Sequence, residues 1–144
     1  MVKQRRFLAL HKLWFSLFCE HRRGKGLMGE PWDKLRLGTG LWAERATEAL
    51  DALPRPERWF VLEQAGNTTE ETCELPSSSE ILGWSGGTPS EVLFGINPDQ
   101  DLIWTFAVHP EPDICPPRFV GLSISESGIH PREWPLFEPP QCES

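Results

Sequence analysis

The chain has 144 residues, 39% of them hydrophobic, and a formal net charge of −7. This length suits one domain with a hydrophobic core that needs no metal or disulfide. Its four cysteines include no Cys-x-x-Cys pair and are too sparse for a disulfide framework, so we expect a cytoplasmic protein in a reducing compartment. No apolar run approaches the roughly 18 residues of a spanning helix, so we expect no transmembrane segment.

Charge divides the chain into two unlike parts. Residues 1–36 hold nine Lys and Arg against three Asp and Glu, whereas residues 37–144 hold five Arg, no Lys and eighteen Asp and Glu. The acidic part should repel nucleic acid and attract a cationic partner. The alternative is that its acidity only keeps the protein soluble.

The N-terminal segment is basic and carries an apolar stripe at helical spacing: Phe7, Leu10, Trp14, Leu17 and Phe18. His11 and Lys12 interrupt the apolar run that a secretory signal needs, whereas an organellar transit peptide fits the absence of acids before Glu20. An amphipathic helix on an anionic membrane surface or a nucleic acid fits the composition better. The basic residues for that contact are Lys3, Arg5, Arg6, Lys12, Arg22, Arg23 and Lys25.

Two other interpretations of this segment remain open. Translation begins either at Met1 or at Met28. If it begins at Met28, the segment is an upstream extension. Otherwise it is an N-terminal helix that caps the domain. We divide the chain into a basic leader, residues 1–27, an acidic domain, residues 28–138, and a tail, residues 139–144.

The middle of the chain predicts a helix followed by a strand. Apolar residues recur at spacings of three and four over residues 40–53, with Thr39 as the expected N-cap and Pro54 as the stop. The apolar run at residues 58–64 then predicts a strand. The apolar stripe of the helix needs a sheet to cover.

Residues 91–125 predict three further strands joined by turns. The segment Leu102–Val108 is apolar on both of its faces, which is typical of a central strand. The turn chemistry of Asn97-Pro98-Asp99-Gln100-Asp101 precedes it. We therefore predict an α+β fold, a small antiparallel sheet of about four strands with one helix packed on it, plus the basic N-terminal amphipathic helix or leader.

The leading functional hypothesis is a non-enzymatic module that docks a basic protein partner through the loops 67–80 and 109–117. Small acidic inhibitors and immunity proteins that neutralise basic toxins or nucleases use this physics, which is an analogy of charge and not of fold. Exposed carboxylates and indoles are the expected contacts: Trp32, Glu70, Glu71, Glu74, Trp84, Glu111 and Asp113.

The second hypothesis is a small metal- or thiol-dependent enzyme. Its candidate residues are His109, Cys115 and His130, because a histidine beside a thiol can bind zinc or act as base and nucleophile. Their spacing matches no metal-binding motif, and no hydrolase or dinucleotide fingerprint occurs, so we expect neither a metal nor a cofactor. The third hypothesis is a peripheral membrane protein anchored by residues 3–25.

Overall fold

A computed structural model describes residues 2–19, 35, 40–54, 58–63, 75, 77–84, 91–109 and 115–133. At positions 2–7, 58, 60–63, 82–84 and 91 it describes the backbone alone. Within these residues the chain forms α1 (Val2–Phe18), β1 (Leu41–Trp42), α2 (Glu44–Ala52), β2 (Arg58–Glu63), α3 (Ser78–Trp84), β3 (Glu91–Asn97), β4 (Leu102–Val108), β5 (Arg118–Ser123) and α4 (Ile124–Ser127). A 3₁₀ turn, Pro98–Gln100, joins β3 to β4.

The strands form one antiparallel sheet in the order β1-β5-β4-β3-β2. Strands β2 to β5 are neighbours in chain order, which is the predicted meander, and β1 adds two residues at the edge beside β5. The predicted α+β class and the four-stranded antiparallel sheet are confirmed. The register places Phe94 opposite Thr105, and Thr105 opposite Val120, across the centre of the sheet.

Strand β4 is the middle of this sheet and is covered on both faces. Residues Ile103 to Val108 are all buried, as expected for a strand that is apolar on both sides. Ile103 and Ala107 belong to the core on one face, whereas Trp104 and Phe106 belong to the core on the other. The protein therefore has three layers: helix, sheet and helix.

Helix α1 covers the first face of the sheet. Leu10, Trp14 and Phe18, four residues apart on one side of the helix, are buried in the same core as Phe94. The Trp14 indole Nε1 donates a hydrogen bond of 2.7 Å to Thr105 Oγ1, and that hydroxyl donates one of 2.8 Å to the Leu93 carbonyl oxygen. This buried relay satisfies both polar groups and fixes where α1 lies on the sheet.

The position of α1 bears on the division proposed at residue 27. Three residues of its predicted stripe are buried against the sheet and Leu17 is half-buried, so α1 shares a core with the domain. Of the interpretations given for this segment, a helix that caps the domain describes its position. The side chain of Phe7 and the boundaries at residues 27 and 138 lie outside the described residues.

Helices α2 and α3 cover the second face. Ala46 and Leu50 of α2 and Ile81 of α3 pack in one core with Trp59, Trp104 and Phe106. The indole Nε1 of Trp104 donates a hydrogen bond of 2.7 Å to Asn97 Oδ1, and Asn97 Nδ2 donates one of 3.2 Å to the Pro54 carbonyl oxygen. The end of β3 is thereby tied to Pro54, two residues beyond the end of α2.

Helix α2 begins later than predicted. Gly40 and Ala43 have φ values of 83° and 55°, in the left-handed region, and Leu41–Trp42 pairs with β5 as a strand. The amide of Ala43 donates to the Pro117 carbonyl oxygen at 2.9 Å, so the chain leaves the sheet only at Glu44. The predicted apolar spacing holds for Ala46, Ala49 and Leu50, whereas Leu41 and Trp42, predicted to be helical, pair with the sheet edge instead.

A glycine in β3 makes room for the largest side chain of this core. A Cβ atom added at Gly95 would lie 2.7 Å from Trp104 Cζ2 and 3.0 Å from Trp59 Cβ. We expect Gly95→Ala to lower the free energy of unfolding by about 1–3 kcal/mol through overpacking, measured by urea denaturation. Gly121→Ala is the control: there the added atom would lie 3.0 Å from Leu102 Cδ1, a side-chain end that can rotate, and at an ordinary contact distance of 3.6 Å from Phe119 Cε1. Equal effects of the two substitutions would contradict this account of Gly95.

The relay between α1 and β4 predicts energetic coupling. We expect Trp14→Phe to cost about 1–3 kcal/mol of unfolding free energy, since it deletes a buried hydrogen bond. In a double-mutant cycle with Thr105→Val, the two substitutions should cost less together than the sum of their separate effects, by about 1 kcal/mol. Additive effects in urea denaturation would show that the hydrogen bond does not hold α1 in place.

Candidate functional site

The outer side of the α2–α3 layer carries four exposed carboxylates, Glu44, Glu48, Asp51 and Glu80, which we call the acidic face. The helical repeat places positions 44, 48 and 51 on one side of α2. Ala46 and Leu50 occupy the opposite side and are buried against the sheet. The packing of α2 therefore turns a line of acidic residues towards solvent.

Hydrogen bonds join the two helices of the acidic face. Asp51 Oδ1 accepts from the backbone amide of Ser78 at 2.9 Å, and Asp51 Oδ2 accepts from the Ser78 hydroxyl at 2.6 Å. Ser77 Oγ accepts from the amide of Glu80 at 3.3 Å, as an N-cap side chain does. Carboxylates are favourable at helix N-termini, so Asp51 stabilises the start of α3 and holds Glu80 near α2.

Most of the predicted contact residues lie outside the described residues. These are Trp32, Glu70, Glu71, Glu74, Glu111 and Asp113. Trp84 is the last residue of α3, and its side chain is not described. Of the loop predicted at 67–80, residues 78–80 instead form the first turn of α3, because Ser77 and Asp51 satisfy the free amides there.

The three candidate enzyme residues have different surroundings. His109 follows β4 and is half-buried, and Cys115 precedes β5 and packs against the core on the α1 side. His130 is exposed, and its Nδ1 accepts from the amide of Arg132 at 3.3 Å. Strand β5 carries the chain away from the end of β4 before His130 is reached. Within the described part of the chain, no three His, Cys, Asp or Glu side chains converge as metal ligands do.

An open groove runs between α1 and the end of β5, on the face opposite α2. Its volume is about 360 Å³, and its lining is Ser16, Leu17, Leu122, Ser123, Glu126 and Ser127. Hydroxyl groups and one carboxylate form its polar part. None of the candidate enzyme residues His109, Cys115 and His130 lines it.

Beside this groove, Asp101 organises the start of α4. The residue has φ 52°, accepts hydrogen bonds from the Ser123 and Ser125 hydroxyls, the latter at 2.8 Å, and accepts from the Ser125 amide at 2.9 Å. Its backbone oxygen accepts from the amide of Ile124 at 3.1 Å. The hydroxyl of Ser123, followed by that of Ser125 and its amide, lowers the pKa of the Asp101 carboxyl group.

Among the charged side chains that the structure describes, Arg118 is the one with no exposed surface. Its guanidinium carbon lies 4.3 Å from the centre of the Trp42 ring, and Nη1 donates a hydrogen bond of 3.5 Å to the Leu35 carbonyl oxygen. A group with no exposed surface cannot touch a partner, so Arg118 is part of the sheet edge and not of a binding surface.

Two features of this surface escaped the sequence interpretation. The spacing of four and three between Glu44, Glu48 and Asp51 was a signal for one acidic helix face, but the binding residues were sought in loops. The hydrogen bonds from Ser123 and Ser125 to Asp101 join residues more than twenty positions apart, so no local sequence pattern predicts them.

Comparison with protein-family models, curated proteins and solved structures found no match for this chain. Its class rests on its own geometry: a three-layer α+β domain with an antiparallel sheet and an acidic face on one helical layer. Among the helices that the structure describes, none is long and apolar enough to cross a bilayer.

The Asp101 contacts predict a pH dependence of stability. The folded-state pKa of this carboxyl group is lowered, so its contribution is present above the unfolded-state value of about 3.9 and is lost as pH falls through the folded-state value. We expect urea midpoints measured from about pH 5 down to pH 2 to fall less steeply for Asp101→Asn than for wild type. The double variant Ser123→Ala/Ser125→Ala should flatten the same profile, and an unchanged profile in both variants would contradict the assignment.

Proposed function

We propose that this chain is a non-enzymatic protein-binding module whose acidic surface docks a basic protein partner. The observation that carries the proposal is the acidic face: Glu44, Glu48 and Asp51 share one side of α2, and Glu80 stands on the helix bonded to it. The segments 67–80 and 109–117 remain candidate contacts in this proposal, and residues 67–74 and 110–114 of them lie outside the described residues. The sparse cysteines fit a reducing compartment, and we place the protein in the cytoplasm.

The helices beneath these carboxylates are held by core packing and by hydrogen bonds. Ala46 and Leu50 are almost fully buried against the sheet, and the two hydrogen bonds from Ser78 to Asp51 connect the helices. Charges held on such a frame need little ordering when a partner arrives, so less affinity is lost to conformational entropy. Their common sign steers a cationic partner and raises the association rate.

The two other hypotheses receive less support. An enzyme would need His109, Cys115 and His130 to converge, and β5 separates the first two from the third along the sheet. An anchor that uses the apolar stripe of α1 would have to withdraw Leu10, Trp14 and Phe18 from the core. The sheet side chains beneath them, such as Phe94 and Ile103, would then face water at a cost of about 1.5–3 kcal/mol each, so the stripe serves the fold in this conformation.

The proposal predicts salt-dependent binding that depends on the acidic face. Tagged protein is used to capture partners from an extract of the source organism, and the captured protein is then purified for stopped-flow measurement of association. We expect the rate to fall at least tenfold as ionic strength rises from about 0.01 M to 1 M, since the Debye length shrinks from about 30 Å to 3 Å.

A pair of matched variants makes this test specific. Glu44→Gln/Glu48→Gln removes two charges from the acidic face and should slow association, whereas Asp99→Asn/Glu126→Gln removes two exposed charges elsewhere and should leave it near wild type. A rate indifferent to ionic strength, or equal effects of the two double variants, would contradict the proposal. Circular dichroism of wild type and of both double variants checks that each is folded.

A further inference from the structure

The outward side of α1 presents an apolar residue between basic ones. Leu8 is 66% exposed, the larger exposure of the two exposed large hydrophobic side chains that the described residues include. Lys12, four positions later, is also exposed. The helical repeat places position 5, an arginine, on the same side as positions 8 and 12. We call Arg5, Leu8 and Lys12 the outer ridge.

The helix that bears the outer ridge has only positive side-chain charge. Residues 2–19 contain Lys3, Arg5, Arg6 and Lys12 and no Asp or Glu. The helical repeat places positions 5 and 12 on the side opposite the buried Leu10, Trp14 and Phe18, whereas positions 3 and 6 fall on the side of the buried stripe. The ridge is therefore available while α1 remains docked on the sheet.

The sheet separates helices of opposite net charge, although Glu126, in the groove beside Ser16 and Leu17, lies on the α1 side. The basic helix α1 lies on one face, and α2 and α3, with the acidic face, lie on the other. Screening reduces interactions beyond a Debye length of about 8 Å at physiological ionic strength. An anionic surface that approaches α1 consequently meets the local positive charge rather than the net charge of the whole chain.

We propose that the outer ridge of α1 binds the surface of a bilayer that contains anionic phospholipids. Basic residues beside a bilayer each contribute about 1 kcal/mol of attraction, and an exposed leucine between them can enter the boundary between headgroups and acyl chains. A nucleic acid backbone would use the same charges but would gain nothing from Leu8. The exposed leucine is the observation that favours the bilayer.

This orientation has a consequence for the rest of the molecule. When α1 faces the bilayer, the acidic face on the opposite side of the sheet points away from it. The protein could then hold a bilayer surface and a basic partner at the same time. Bilayer binding uses the outer ridge and partner binding uses the acidic face. Each can therefore be tested, and disproved, independently of the other.

Co-sedimentation with vesicles tests the inference on the full chain. We expect binding to vesicles of phosphatidylcholine with phosphatidylserine, and little binding to phosphatidylcholine alone. Lys12→Glu should weaken binding at least about fivefold, which is 1 kcal/mol for one lost basic residue. Leu8→Ala should weaken it about fourfold or more, the value of one buried methylene.

Each variant has a matched control on another surface. Arg45→Glu makes the same charge change on exposed α2, and Leu41→Ala truncates the other exposed leucine, which is 37% exposed. Both should bind vesicles like wild type, as should Glu44→Gln/Glu48→Gln, which tests the proposed function separately. Circular dichroism of each variant confirms that it is folded.

Three results would overturn the inference. The first is binding that does not require phosphatidylserine. The second is a loss for Arg45→Glu or Leu41→Ala as large as the loss for its counterpart on α1. The third is a Leu8→Ala variant that binds like wild type; if duplex DNA is bound instead and Lys12→Glu abolishes that binding, the ridge is a nucleic acid contact.

Discussion

Strand β4 imposes the constraint on which the rest of this structure depends. Its residues from Ile103 to Val108 are buried on both faces of the sheet, so other elements must pack against each face. One amphipathic helix cannot supply that cover. Helix α1 closes one face and α2 with α3 closes the other, which makes the basic N-terminal helix a layer of the fold.

Two polar contacts inside these layers determine how the helices sit. On the first face, Thr105 accepts from Trp14 and donates to the Leu93 carbonyl oxygen, so a hydroxyl in the middle of β4 is fully used. On the second face, Asn97 accepts from Trp104 and donates to the Pro54 carbonyl oxygen. Apolar packing alone would let a helix shift along the sheet. Buried hydrogen bonds require one position of the helix, because a buried polar group that loses its hydrogen bond destabilises the core.

The polar side chains at the surface divide into those that serve the fold and those left for other tasks. Asp51 and Asp101 are exposed, yet each accepts hydrogen bonds from serines and amides at the start of a short helix. Glu44, Glu48 and Lys12 stand out from their helices towards solvent. Because the sheet lies between α1 and α2, Lys12 and the acidic face lie on opposite sides of the described part of the fold.

Local pattern was sufficient for the elements whose residues alternate or repeat over several positions. The meander of β2 to β5, the central place of β4 and the body of α2 follow from periods of two and 3.6, since those periods decide which side chains share a face. The helix α3 was too short to classify from sequence, and it exists where Asp51, 27 positions earlier, satisfies the amide of Ser78.

The placement of α1 was decided only by tertiary structure. An amphipathic stripe shows that a helix will bury one side. The sequence alone does not determine whether a membrane, a nucleic acid or the protein's own sheet covers that side. Here an apolar sheet face with a buried hydroxyl at Thr105 takes the stripe and the indole of Trp14. Composition determined the sign of the net charge of each part of the chain. Folding determined which side of each helix faces solvent, and therefore which charged side chains are exposed.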